Sequence, residues 1–258
     1  MWVIKKAHIF FMAKSKKIIA GTISTPTQTT SKERSVNKIL PLKVRLKCKN
    51  TKQKDFVNLI KEKEIILCSG PAGVGKSYVA IAIALELLQD PENSFNRILI
   101  VKPAVEAEEN LGFLPGNLKE KLEPYLASSI DIVDKIIGED ARRKLEDSKE
   151  LMVEPLGFIR GKTIDNSILI GEEAQNMSPS QMKSLLTRIG YGSKYIVSGD
   201  MDQSDRYDDS AKTGLYDAMN RHRNIEEIGF FEFDENDIVR NPLITKMVKN
   251  YKKPEKNK

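Results

Sequence analysis

One stretch limits the possible folds more than any other. Ile65-Ile66-Leu67-Cys68-Ser69 is a short apolar run, and Gly70-Pro71-Ala72-Gly73-Val74-Gly75-Lys76-Ser77 follows it directly. The pattern is G-x-x-x-x-G-K-[ST], set between a predicted strand and a predicted helix over 78–88. Each residue type answers a chemical need. Glycines let successive backbone N–H groups turn inward on phosphates without a Cβ in the way. A helix starting near Lys76 aims its positive end at the same place. Lys76 is expected to reach the β- and γ-phosphates of ATP, and Ser77 to ligate Mg²⁺. The expected nucleotide-binding set is Gly70, Pro71, Ala72, Gly73, Val74, Gly75, Lys76, Ser77 and Tyr78. An ordinary glycine turn is the competing reading, and the strand and helix on either side disfavour it.

Further apolar runs occur at 64–69, 98–102, 151–153, 168–170 and 195–198, with helical patterns such as 78–88 and 180–187 between them. Strands apolar on both faces, alternating with helices, predict an α/β fold: a parallel central sheet with helices on both faces. The 258 residues suit one such domain plus tails. Residues 1–48 are rich in Lys, Ser and Thr and read as a flexible basic arm, 49–251 as the domain, and 252–258 as a basic tail. These ends carry much of the net charge of +6, which is compatible with a nucleic-acid partner and does not prove one. Ile9-Phe10-Phe11-Met12 is too short for a signal peptide, and an alternative start at Met12 fits better. No run approaches the ~20 apolar residues of a membrane span. The two cysteines, Cys48 and Cys68, make no disulfide framework or metal cluster, so a cytoplasmic setting is expected.

Two more strands end in polar groups. Ile168-Leu169-Ile170 runs into Gly171-Glu172-Glu173. If this strand lies beside the phosphate-loop strand, its carboxyl end faces the metal: Glu172 is assigned to Mg²⁺ and Glu173 to the attacking water. Read alone, the pair is equally the start of a solvated helix. Tyr195-Ile196-Val197-Ser198 ends in Gly199-Asp200-Met201-Asp202-Gln203, where Gln203 is placed to sense the γ-phosphate or orient water. The other reading is an Asp-capped turn.

Together these motifs resemble the PhoH-like ATPase family. So do Lys102-Pro103-Ala104-Val105-Glu106-Ala107, Leu111-Gly112-Phe113-Leu114-Pro115-Gly116, Pro155–Thr163, Leu186–Gly190 and Asp237–Arg240. The resemblance covers roughly residues 50–251; the chain is short, like the single-domain forms common in bacteriophages, and is expected to lack the extra nuclease or RNA-binding domain of some longer relatives. It implies a RecA-like P-loop NTPase core, ATP hydrolysis, and a homo-oligomer that could be a hexameric ring. It also brings in Gln53 as a contact to adenine, and Arg188 and Arg240 as candidates for a finger that stabilises transition-state charge. A surface role for each of the three is the alternative. Arg160 and Lys162 face the same choice between nucleic acid, a neighbouring subunit and solvent. Two departures stand out: Glu172 where the family usually has Asp, and Lys102 where it often has Arg.

The function expected on these grounds is Mg²⁺-dependent ATP hydrolysis, coupled to RNA or single-stranded nucleic acid in a helicase-like or translocase-like manner. The alternative is an ATP-gated binding or scaffold protein with slow turnover. A small-molecule kinase is weaker, because nothing resembles an acceptor site or lid.

Overall fold

The computed structural model describes residues 39–40, 43–103, 118–201, 203, 212–240 and 243. The strands are β1 (Ile65–Ser69), β2 (Arg97–Lys102), β3 (Leu151–Pro155), β4 (Ser167–Gly171), β5 (Lys194–Gly199) and β6 (Ile228–Glu232). They form one sheet in the order β3-β2-β4-β5-β1-β6, and every pairing is parallel. Among the described residues, six α-helices accompany it: α1 (Thr51–Glu62), α2 (Lys76–Gln89), α3 (Leu118–Ile137), α4 (Glu139–Asp147), α5 (Pro179–Leu186) and α6 (Gly214–Arg221).

Side chains on successive strand positions point to opposite faces, and the core divides accordingly. Ile66 and Cys68 of β1, Ile98 and Ile100 of β2, and Ile168 and Ile170 of β4 pack with Phe56 of α1, Val79 and Ile83 of α2, Val133 of α3 and Leu145 of α4. Ile65, Leu67, Leu99, Leu169, Tyr195 and Val197 pack with Met182 and Leu185 of α5 and Leu215 and Met219 of α6. Helices therefore cover both faces, and the expected α/β class with a parallel central sheet holds. Each fully buried Leu or Ile contributes roughly 1.5–3 kcal/mol. Helix α2 is apolar nearly all round because it lies between the sheet and its neighbouring helices; Val79 through Leu85 are all buried.

The strand order corrects one expectation. The acidic strand β4 does not lie beside the phosphate-loop strand β1; β5 stands between them. A strand buried on both faces records burial in its side chains, not the identity of its neighbour. The ends of β4 and β1 are thus two strand spacings apart, on the order of 10 Å. The end of β5 becomes the loop's direct neighbour, and Gly70 N donates to Gly199 O at 3.2 Å.

Part of the stretch expected as an arm, residues 1–48, packs on the domain. Leu40 is buried in the core. Val44 N donates to Gln89 Oε1 at 2.8 Å, and Gln89 Nε2 donates to Leu40 O at 3.1 Å. The rest of the expected arm, the 104–116 segment of the resemblance and the tail at 252–258 lie outside the described residues. Among the described residues, no helix is long and apolar enough to cross a membrane.

Candidate phosphate-binding site

Residues 70–75 form the bend between β1 and α2, and their conformation needs glycine. Gly70, Gly73 and Gly75 have φ of 154°, 93° and 92°. At Gly70 a Cβ would lie 2.6 Å from Phe233 Cβ, and at Gly75 it would lie 2.8 Å from Gln53 Nε2. Helix α2 begins at Lys76, with Gly75 as its N-cap and no side chain capping it. The first amides of α2 are thus left to whatever the loop encloses.

Lys76 Nζ donates to Gly70 O and, at 3.0 Å, to Pro71 O, which holds the ammonium at the loop's opening. Burial lowers its pKa below the ordinary lysine value, and the charges of Asp200, Cys68 and Glu173 oppose that shift. Asp200 and Glu173 thus lie within electrostatic reach of Lys76. Ser77 is partly exposed on the first turn of α2, and Tyr78 beside it is exposed.

Gln53 lies behind the loop. It is 3% exposed. Its Nε2 donates to Val74 O at 2.8 Å, and its Oε1 accepts Lys49 N at 2.8 Å. The amide expected to meet adenine is thus engaged by the chain's own backbone. Arg240 covers the loop from another side: a Cβ on Gly73 would lie 3.0 Å from Arg240 Cδ, and Val239 N donates to Gly73 O at 3.1 Å.

The acidic end of β4 is built asymmetrically. Glu172 is buried, whereas Glu173 is exposed and has φ 52°, ψ 39°, a left-handed conformation uncommon outside glycine and asparagine. Such strain clusters at functional sites. Glu172 Oε2 accepts from Ser129 Oγ and lies 3.4 Å from Lys102 Nζ. Glu172 Oε1 is buried with no hydrogen-bond partner among the described residues.

Two expected residues are placed less centrally. Gln203 is exposed, and its backbone N donates to Asp200 O at 3.1 Å in the turn after β5. Arg188 follows α5 and does not approach the loop of its own chain. Its carbonyl accepts Ile164 N, and its charge acts on Tyr195, near the amino end of β5, while the loop sits at the carboxyl ends.

Sequence reasoning gave no role to Gln175, which is 2% exposed. It bridges the two polar strand ends: Nε2 donates to Glu173 Oε2 at 2.7 Å and to Gln203 O at 3.3 Å, and Oε1 accepts Asp200 N at 3.0 Å. A glutamine two residues past a carboxylate pair was the available signal.

The donor set suits Mg²⁺ bound with a triphosphate. Magnesium uses one or two protein oxygens and takes the rest from phosphates and water. Ser77 and the unpartnered Glu172 Oε1 are such oxygens. No group of three or more His, Cys, Asp or Glu suited to an all-protein metal cage occurs among the described residues.

Comparison with known proteins shows the family. Residues 45–252 match the model of a family described as "PhoH-like protein". A "PhoH-like protein" of Bacillus subtilis (strain 168) is 39% identical over 208 residues, covering 81% of this chain and 64% of that protein. One from Synechocystis sp. is 36% identical, over 81% of this chain and 63% of its own length. "Protein PhoH" of Escherichia coli (strain K12) is 33% identical, over 79% and 57% respectively. The chain thus spans less than two thirds of each of these relatives. Among solved structures, "Crystal structure of Bacteroides Pif1 bound to ssDNA" aligns over 80% of this chain and 46% of that one, with TM-score 0.37 and 11% identity.

Proposed function

Because the chain belongs to the PhoH-like protein family, we propose that it binds ATP with Mg²⁺ and hydrolyses it, and that hydrolysis drives work on RNA or single-stranded nucleic acid. The observation that carries this reading is the convergence of a glycine-lined loop, the Lys76 ammonium and the strained Glu173 on one end of the sheet.

The loop amides and the start of α2 receive the phosphates, and Lys76 Nζ exchanges its carbonyl partners for β- and γ-phosphate oxygens. Ser77 and Glu172 would hold Mg²⁺, which when bound would neutralise charge on the triphosphate. Glu173 orients the attacking water and takes its proton on Oε1, while Gln175 holds Oε2. Arg240, already over Gly73, stabilises charge that develops on the γ-phosphate. Arg188 would act only from a neighbouring subunit, so its part requires the oligomer. Gln203, joined to Gln175 through its carbonyl, relays the state of the site. Gln53 supports the loop rather than reading adenine.

For nucleic acid, support comes from the loop after β3. Phe158 is 45% exposed there, and Arg160 and Lys162, which follow it, are exposed, a combination of aromatic and cations of the kind that single strands use. A cytoplasmic setting and a ring assembly complete the proposal. The second reading, an ATP-gated switch with slow turnover, draws on Glu172, whose carboxylate is already half engaged by Lys102 and Ser129.

Steady-state ATPase assays with and without single-stranded RNA decide between them. Turnover stimulated by RNA and abolished by Lys76→Ala is the expected result. Tight ATP binding with negligible turnover, indifferent to RNA, would replace the motor with the switch.

A further inference from the structure

We infer that Lys102, Ser128 and Ser129 form a clamp that positions Glu172, turning one carboxylate oxygen toward the nucleotide site and keeping the other away from it. The inference rests on the reading that the loop binds ATP with Mg²⁺.

Glu172 is 2% exposed, and its partners are unevenly shared. Ser129 Oγ donates to Oε2, and Lys102 Nζ lies 3.4 Å from the same atom. Lys102 Nζ also donates to Ser128 Oγ at 2.5 Å. Oε1 receives nothing from the described residues. Buried carboxylate oxygens are nearly always satisfied, so one left open at the carboxyl end of the sheet, the end that carries the phosphate loop, marks the place of a further donor or cation.

The clamp comes from two separate elements. Lys102 is the last residue of β2, which pairs with β4 in register up to Val101 and Gly171. Glu172 N donates to Val101 O at 2.9 Å, so Lys102 stands level with Glu172 on the adjacent strand. Ser128 and Ser129 come from α3, above the same end of the sheet. Glutamate has one more rotatable bond than aspartate, and its carboxylate can swing accordingly. Contacts from both sides to Oε2 remove that freedom. The single ammonium of Lys102 suits the task, because it binds one oxygen as a point charge where a planar guanidinium fork would span both.

The test measures metal binding without turnover. Mn²⁺ is titrated, by its electron paramagnetic resonance signal, into protein loaded with a non-hydrolysable ATP analogue. In parallel, affinity for the analogue is measured in EDTA. Lys102→Met and Ser129→Ala are each expected to weaken Mn²⁺ binding by about tenfold or more, with analogue affinity in EDTA changed far less. Ser129→Ala removes a hydroxyl alone, and so serves if Lys102→Met does not fold. Unchanged Mn²⁺ affinity in a folded variant overturns the clamp. So does an equal loss in EDTA, which would mean general damage to the loop. Failure of the wild-type protein to retain the analogue would instead overturn the ATP-binding reading itself.

Discussion

Gln175 Nε2 lies 2.7 Å from Glu173 Oε2, so the residue proposed to activate water is held by a side chain from the buried turn that follows it. The same glutamine accepts the amide of Asp200 at the end of β5. Gln175→Leu removes both contacts at nearly constant volume. It is expected to lower kcat by roughly 10²-fold through misplacement of Glu173, with ATP affinity nearly kept. Single-turnover kinetics beside an equilibrium binding titration check the split.

Glu173 combines a chemical role with a strained backbone. Glu173→Gln is expected to leave ATP binding intact and stop hydrolysis, by about 10²-fold or more. Glu173→Gly should be just as inactive, yet gain about 1 kcal/mol of stability because glycine accepts φ 52° freely. Loss of ATP binding in the Gln variant, or loss of stability in the Gly variant, would count against this account.

Gln53 offers a direct comparison of two roles. Gln53→Ala leaves the Val74 carbonyl and the Lys49 amide without their partner, at a cost of roughly 1–3 kcal/mol. If it supports the loop, affinity for ATP and GTP should fall together. A change in the ATP-to-GTP preference would show instead that the residue reads the base. Denaturant unfolding and paired nucleotide titrations supply both numbers.

Lys194, at the start of β5, gives a pH test away from the site. Burial lowers its pKa to about 8, against an opposing influence from Glu64. Between about 8 and the ordinary value of 10.5, the unfolded chain holds a proton that the folded chain lacks. Unfolding free energy attributable to this residue therefore rises with pH across that window. Relative to Lys194→Met, wild-type stability should improve by roughly 1–3 kcal/mol from pH 7.5 to pH 10. A pH-independent difference would remove the burial argument.

The phosphate loop was legible in the sequence because its glycines and lysine answer local geometric needs at fixed spacing. The five expected strands were legible because each is a continuous apolar run. β6 was not among them: Gly229 and Glu232 interrupt Ile228, Phe230 and Phe231, and its place depends on pairing with β1. Strand order was hidden for a related reason. Ile168–Ile170 and Tyr195–Val197 have the same apolar character, and nothing in either says which adjoins Ile66. Lys102 drew notice only as a departure from Arg, since its partner Glu172 lies far along the chain and meets it through the parallel pairing of β2 with β4. Arg188 stood close in sequence to the β5 motif, yet a turn of chain carries it toward the other end of that strand.

The strand inserted between β1 and β4 has two masters at its carboxyl end. Gly199 O is tied to the phosphate loop through Gly70 N, and Asp200 N to the acidic turn through Gln175. Moving this end toward either side stretches its tie to the other. One peptide unit thus carries both ties, its carbonyl turned to the loop and its amide to the carboxylate turn, and the two polar strand ends share a single rigid plane.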